Sequence, residues 1–331
     1  DLEQGQDPGE LRKAAKVQAQ HEASNTFKGV AEEWLAHQSA GWAPTTLESI
    51  RASLKADVYE AIGHKPLAQI KPGEVVAAIK AIETRGAGDV AGRVLQRVRA
   101  IYRWALVHER IESNPMVDLK PSELLKPRQV NHRPALADAE LPEFLAKLGA
   151  YDGDPTTKHA LRFLMLTAVR PGELRGARWD EIDTDAATWR IPAERMKMRN
   201  AHVVPLSRQA LEVLEAMRPI SGADVLVFPS PFYPGKALSE NTLNSALARM
   251  GYKGIATAHG FRALFSTVAN ECGHNPDVIE RQLAHAERNE VRAAYHRSTY
   301  LQDRAKLMHW WADYLDGRKS GRVVPIGRKV A

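Results

Sequence analysis

Between Thr26 and about Asn114, apolar residues recur at the spacing of one helix face. In FKGVAEEWLAHQ the stripe is Phe27, Val30, Trp34 and Leu35. APTTLESIRASLKADVYEAI opens on a Pro–Thr start signal. IKPGEVVAAIKAIETRG carries Pro72 early and Gly86 at its end, a helix start and a helix stop. GRVLQRVRAIYRWALVHERI says most. Val94, Leu95, Val98, Ile101, Tyr102 and Ala105 cover one side, and Arg93, Arg97, Arg99 and Arg103 fall away from it. Such a basic face fits either plain solvation or contact with phosphates.

NPMVDLKPSELLKPRQVNHRPAL interrupts the pattern with prolines and basic residues, the composition of a linker or of a strap along a polyanion. Helical periodicity resumes in LPEFLAKLGAY and TKHALRFLMLTAV. ATWRIPAERM and AHVVPLS read as strands, separated by a turn carrying MKMRN. Further helices are expected at SRQALEVLEAM, NTLNSALARMG, GFRALFSTVANECG, NPDVIERQLAH and NEVRAAYHRSTYLQDRAKLMHWWADYLD. These patterns divide the chain into a polar linker over 1–25, a helical domain over 26–118, a basic proline-rich linker over 119–134, a second domain over 135–317 and a basic tail over 318–331.

The 331-residue length suits two domains. A net charge of +6 permits an anionic partner without requiring one. The single cysteine, Cys272, excludes an intramolecular disulfide and fits a reducing compartment. No run is long and apolar enough to span a bilayer, so a cytoplasmic protein is expected. The twelve histidines include neither HExxH nor a Cys–His zinc spacing, and no bound metal is expected.

The chemistry concentrates in the second domain. TAHGFRALFSTVAN sets His259 and Arg262 one turn apart at the start of an apolar helix. Taken alone, the pair fits a helix cap and a snorkelling arginine. Other groups recur at punctuated places. Arg170 stands where TAV meets PGEL, Lys197 in the turn between the strands, His285 at the close of NPDVIERQLAH, and Tyr295 within RAAYHRSTYLQ. In order, TAVRPGELRGARWDEID, MKMRNAHVVPLS, HGFRALFSTVAN, QLAHAERNEVRAAYHRSTY and MHWWADYL resemble the boxes of the tyrosine recombinases, the phage-type integrases. GHKPLAQIKPGEV and YRWALVHERIESNP are similar to the core-DNA-binding domain of prophage and genomic-island integrases.

The resemblance implies a mainly α protein: an all-α helical-bundle core-binding domain, then an α+β catalytic domain with a small antiparallel β-sheet. It implies an active site of Arg170, Lys197, His259, Arg262, His285 and Tyr295, with Arg93, Arg97, Arg99 and Arg103 on DNA. The tyrosine becomes joined to a 3′ phosphate and frees a 5′ hydroxyl, without a cofactor. Partners implied are double-stranded DNA attachment sites, a homotetramer on that DNA and accessory DNA-bending proteins, at the bacterial nucleoid. The first 25 residues are expected to follow an arm-binding domain outside this chain.

These residue types suit phosphoryl transfer. Two guanidiniums can bind non-bridging oxygens in fixed forks, a lysine can protonate a leaving oxygen, and a phenol needs a general base to attack. The carboxylates of WDEIDTD (Asp180, Glu181, Asp183, Asp185) are read as a solvated turn rather than a metal-nuclease centre, and Glu173 as an arginine partner. A type IB topoisomerase-like enzyme and a non-catalytic DNA-binding regulator are the competing readings. The terminal stripe Leu307, Met308, Trp311, Tyr314 and Leu315 is expected to dock on a neighbouring protomer in a DNA-bound assembly.

Overall fold

Thr26 starts the first helix, α1 (Phe27–Gln38), its hydroxyl accepting from the Gly29 amide at 3.3 Å. The computed structural model describes residues 25–127, 134–285 and 299–319, and the chain divides into two compact units, Asp1–Val130 and Asn131–Ala331. Pro44 opens α2 (Pro44–Asp57). The expected continuous helix breaks at Val58 (φ −129°), and a short α3 (Tyr59–Ile62) follows, so that both Val58 and Ile62 are buried. In α4 (Pro72–Thr84) the Glu74 carboxylate reaches back to the Lys71 amide at 3.0 Å. The chain leaves α4 through Gly86, whose φ of 84° is costly for a residue with a Cβ.

α5 (Gly88–Val107) buries all six apolar residues of its stripe against Phe27, Trp34, Leu54 and Ile79. Its arginines form two pairs one turn apart that flank this stripe instead of making one opposite face. Arg93 and Arg103 are exposed. Arg97 donates to the Ser53 hydroxyl, and Arg99 to the Val117 carbonyl at 3.1 Å. Leu119, Leu124 and Leu125, around the short α6 (Pro121–Leu124), pack on the same core. The first part of the proline-rich stretch is therefore ordered on this unit.

The second unit is mainly helical with a small antiparallel sheet, as expected. Its core gathers Phe144 of α7 (Leu141–Gly149), Phe163 of α8 (Pro155–Thr167), Trp189, Phe228, Phe261 and Phe265. After α9 (Pro171–Arg175) the chain forms β1 (Ile182–Asp183), β2 (Thr188–Ile191) and β3 (His202–Pro205), in that order, with Ile182 opposite Trp189 and Trp189 opposite Val204. Trp189 and Ile191 point inward and Arg190 outward, the period-two pattern of a sheet with one buried face. α10 (Arg208–Ser221), α11 (Thr242–Leu247), α12 (Gly260–Glu271), α13 (Pro276–Gln282) and α14 (Leu301–Lys319) complete the unit.

The terminal helix differs from expectation. Leu307, Met308, Trp311, Tyr314 and Leu315 of α14 all lie in this unit's own core. Trp311 stacks on Tyr314 and meets Phe265 edge-on. Polar contacts fix both flanks. Gln209 donates to Asp313 at 2.8 Å and to Asp316 at 2.9 Å, while Tyr314 donates to Asp138 at 2.7 Å. The apolar stripe that would have served a partner is already used within the chain.

Candidate active site

The site grows from the C-terminal end of α8. The last carbonyls of a helix lack partners within it and carry the negative end of its dipole. Here side chains from three other helices supply donors at or just beyond that end. Trp311 Nε1 of α14 donates to Met165 O at 2.7 Å, Gln282 Nε2 of α13 to Thr167 O at 3.0 Å, and Arg262 Nη1 of α12 to Ala168 O at 2.6 Å. Ala168 is left-handed (φ 52°), which ends the helix and turns the chain towards Arg170.

Arg262 is 5% exposed. Its Nη2 donates to Leu283 O at 2.6 Å and approaches His285 Nε2 at 3.1 Å. His285 Nδ1 lies 2.7 Å from a Glu280 carboxylate oxygen. A carboxylate only accepts, so Nδ1 carries the proton and Nε2 offers its lone pair to Arg262. Arg170 Nη2 donates to the next carbonyl, Ala284 O, at 3.0 Å. Its Nη1 and its amide bind the two oxygens of Glu173 at 2.7 and 2.8 Å. Two guanidiniums thus hang on consecutive carbonyls, Leu283 and Ala284. Burial, then the neighbouring Arg170, lowers the Arg262 pKa to about 10, which still leaves it cationic at neutral pH.

Arg170 also lines a cleft of about 690 Å³ with Arg175, Arg195, Lys197 and His259. Lys197 is exposed in the β2–β3 turn, where Arg199 adopts φ 53°. His259 occupies the N-cap position of α12. Gly260, just after it, has a steric reason to be glycine: a Cβ there would lie 2.4 Å from Pro134 O. The chain around Pro134 crosses directly over the first turn of α12, and Thr257 Oγ1 both donates to Pro134 O and accepts from the Gly260 amide.

The structure therefore brings Arg170, Lys197 and His259 to one cleft and joins Arg262 and His285 to Arg170 through adjacent backbone. Tyr295 lies outside the described residues. Tyr300, the other tyrosine near that position, is partly buried against the core. Glu181 of WDEIDTD accepts from both Arg195 and Trp189 Nε1, and Asp180 pairs with Arg178. Glu181 is tied into the fold while Asp180, Asp183 and Asp185 are exposed, as a solvated turn requires, and among the described residues no group of His, Cys, Asp and Glu is placed to hold a metal ion.

Residues 27–122 match the phage integrase central domain and residues 135–302 the phage integrase family. The chain belongs to the phage integrase family. It is 42% identical to the integrase of Enterobacteria phage P4, across 95% of this chain and 74% of that protein. It is 38% identical to prophage integrase IntA of Escherichia coli K12, across 96% and 76% respectively. The fold is similar to that of the lambda integrase chain in a dimer bound to a COC′ core site, with TM-score 0.63 at 19% identity over 79% of this chain and 96% of that one. A lambda integrase tetramer bound to a Holliday junction gives TM-score 0.65 at 17% identity, over 83% and 81%. The integrase described here is accordingly a site-specific tyrosine recombinase, of the kind that integrates or excises a prophage. Neither a topoisomerase nor a non-catalytic regulator is favoured. Among the described residues, no helix is long and apolar enough to cross a membrane.

Reasoning from the sequence missed several residues that shape this integrase's site. Arg195 binds Glu181 and donates to Glu173 O at 3.3 Å, which links the cleft wall to the partner of Arg170. Gln282, His202 and Arg304 are buried polar residues behind the two guanidiniums. One signal was available. Arg304 falls on the same stripe as Leu307, Met308 and Trp311, and Gln282 on that of Val278 and Ile279, so each places a polar group at a core position.

Proposed function

We propose that the integrase cuts and rejoins duplex DNA at attachment sites through a 3′-phosphotyrosyl intermediate, with Arg170 and Arg262 binding the non-bridging oxygens of the scissile phosphate. The paired anchoring of these arginines on Leu283 O and Ala284 O carries the reading. Two cations held side by side repel, and an incoming phosphate relieves that repulsion while accepting their remaining N–H donors. A preorganised donor of this type supplies roughly a hundred- to a thousandfold in rate.

In the first step Tyr295 Oη attacks phosphorus and the bond to O5′ breaks. His259 takes the phenolic proton and Lys197 supplies one to O5′. His285 orients Arg262 and, through it, the phosphate. The second step reverses these roles with a 5′ hydroxyl from another strand as nucleophile. Bond energy is conserved in the phosphotyrosyl ester, so no ATP enters, and the arginines, the lysine and the histidines supply the positive charge that a metal ion would otherwise bring. Arg93, Arg97, Arg99 and Arg103 contact backbone phosphates from α5, with Arg93 and Arg103 as its exposed donors. Work as a homotetramer on DNA, aided by accessory bending proteins, follows from the same reading. It is supported by the lambda integrase assemblies of like fold.

A nicked suicide duplex tests the chemistry. The wild-type chain is expected to form a covalent protein–DNA adduct, in EDTA as well as in magnesium. Tyr295→Phe is expected to bind DNA and form none. Adduct from Tyr295→Phe but not from Tyr300→Phe would move the nucleophile, and cleavage that requires magnesium would point to a nuclease.

A further inference from the structure

Behind the two guanidiniums lies a second buried cation that the proposed chemistry does not use. Arg304, on the first turn of α14, is 3% exposed. Its Nε donates to Gln282 Oε1 at 3.0 Å, its Nη2 to Val203 O, and its Nη1 approaches Thr299 O at 3.4 Å. These acceptors are all neutral. Burying a guanidinium on neutral acceptors is expensive compared with an apolar residue of similar size. Burial depresses its pKa to about 10, as it does for Arg262.

The hydrogen bonds of Arg304 lead in one direction. Gln282 is fully buried and, with its carbonyl oxygen held by Arg304, turns its amide nitrogen to Thr167 O. The Gln282 backbone carbonyl lies 3.2 Å from His202 Nε2. His202 approaches Arg304 Nη2 at 3.4 Å as well, but one ring nitrogen cannot both donate to a carbonyl and accept from a guanidinium. Placing the proton on Nε2 satisfies Gln282 O and leaves Arg304 bound to Val203 O. Side chain and backbone of Gln282 are thereby fixed to α8, β3 and α14 at once. The next two residues, Leu283 and Ala284, present the carbonyls that hold Arg262 and Arg170.

We propose that Arg304, acting through Gln282, is a positioning residue for the phosphate-binding pair Arg262 and Arg170. This rests on the recombinase chemistry proposed above. Arg304 touches no reacting atom. It sets the register of the 282–284 backbone, and hence the direction in which both guanidiniums present their donors. A misplacement on the order of 1 Å at such a site costs about a hundredfold in rate.

The test uses the full chain and a nicked suicide duplex, carrying at the scissile position either the natural phosphodiester or an uncharged methylphosphonate. Single-turnover cleavage at saturating DNA is compared for wild type, Arg304→Met, Arg304→Lys and Gln282→Met. Arg304→Met and Gln282→Met are expected to cleave the phosphodiester roughly ten- to a hundredfold more slowly, with DNA affinity within about twofold of wild type. On the methylphosphonate, which makes little demand on the guanidiniums, the deficit is expected to shrink to less than about threefold. Arg304→Lys, which keeps charge but loses the fork, is expected to recover only part of the rate. An equal deficit on both substrates would overturn the proposal in favour of a general structural role, and so would an undiminished rate on the phosphodiester. Should Arg304→Met not fold, Gln282→Met carries the same comparison with no buried charge altered. A wild-type chain that forms no adduct overturns the recombination chemistry itself, a separate and distinguishable failure.

Discussion

Trp311→Ala measures where the terminal helix belongs. Trp311 is 1% exposed, stacks on Tyr314 with centroids 5.8 Å apart and meets Phe265 at 5.4 Å. Truncating a buried tryptophan to alanine typically costs about 3–5 kcal/mol. The indole also donates to Met165 O at 2.7 Å, one of the end carbonyls of α8, and stranding a buried acceptor costs about 1–3 kcal/mol more where water cannot replace the donor. A loss of about 4–8 kcal/mol is therefore expected, a large part of the roughly 5–15 kcal/mol that holds a domain folded. Trp311→Phe keeps most of the packing and loses the hydrogen bond, for about 1–3 kcal/mol. Equilibrium urea unfolding, followed by far-UV circular dichroism, reads both. With a slope of about 2 kcal/mol per molar, the alanine variant should unfold at a urea concentration roughly 2–4 M lower. An unchanged midpoint, combined with loss of DNA-bound tetramers, would refute the reasoning and return the helix to a partner surface.

Two further predictions probe the buried charges. Burial, with Arg304 next in importance, holds the His202 pKa down to about 3, against about 6.5 in an unfolded chain. The unfolded state then binds the extra proton between those values, so the stabilising effect of neutral His202 is complete above about pH 6.5 and is lost as pH falls towards 3. From pH 6.5 to 5 the wild type should lose roughly 2 kcal/mol more than His202→Asn, and identical pH dependence in urea unfolding would contradict this. Glu173 is 4% exposed and its carboxylate receives two hydrogen bonds from Arg170. Glu173→Gln should lower stability by about 1–3 kcal/mol and slow adduct formation by misdirecting Arg170, and a variant equal to wild type in both would show that Glu173 does not hold it.

Much of this integrase was legible in the chain because the signals are local. Pro72 and Gly86 bound a helix through their own backbone preferences, and the stripe of α5 reads directly as burial. The boxes that carry Arg170, Lys197, His259, Arg262, His285 and Tyr295 resemble those of the tyrosine recombinases, and the family they point to is the one the chain belongs to, because short local motifs stay readable however the chain between them folds. The structure decided what depends on distant neighbours. Arg97 and Arg99 read as free basic positions until Ser53 and Val117 were folded against them. WDEIDTD reads as a solvated turn, and Asp180, Asp183 and Asp185 are exposed, but only the fold decides that Arg195 and Trp189 hold Glu181. The stripe of α14 was equally suited to a partner or to its own core, because periodicity gives the face of a helix but not what covers it. Arg304 and Gln282 acquire their places only when α8, β3, α13 and α14 meet, since a buried polar side chain is defined by the donors and acceptors that folding sets around it.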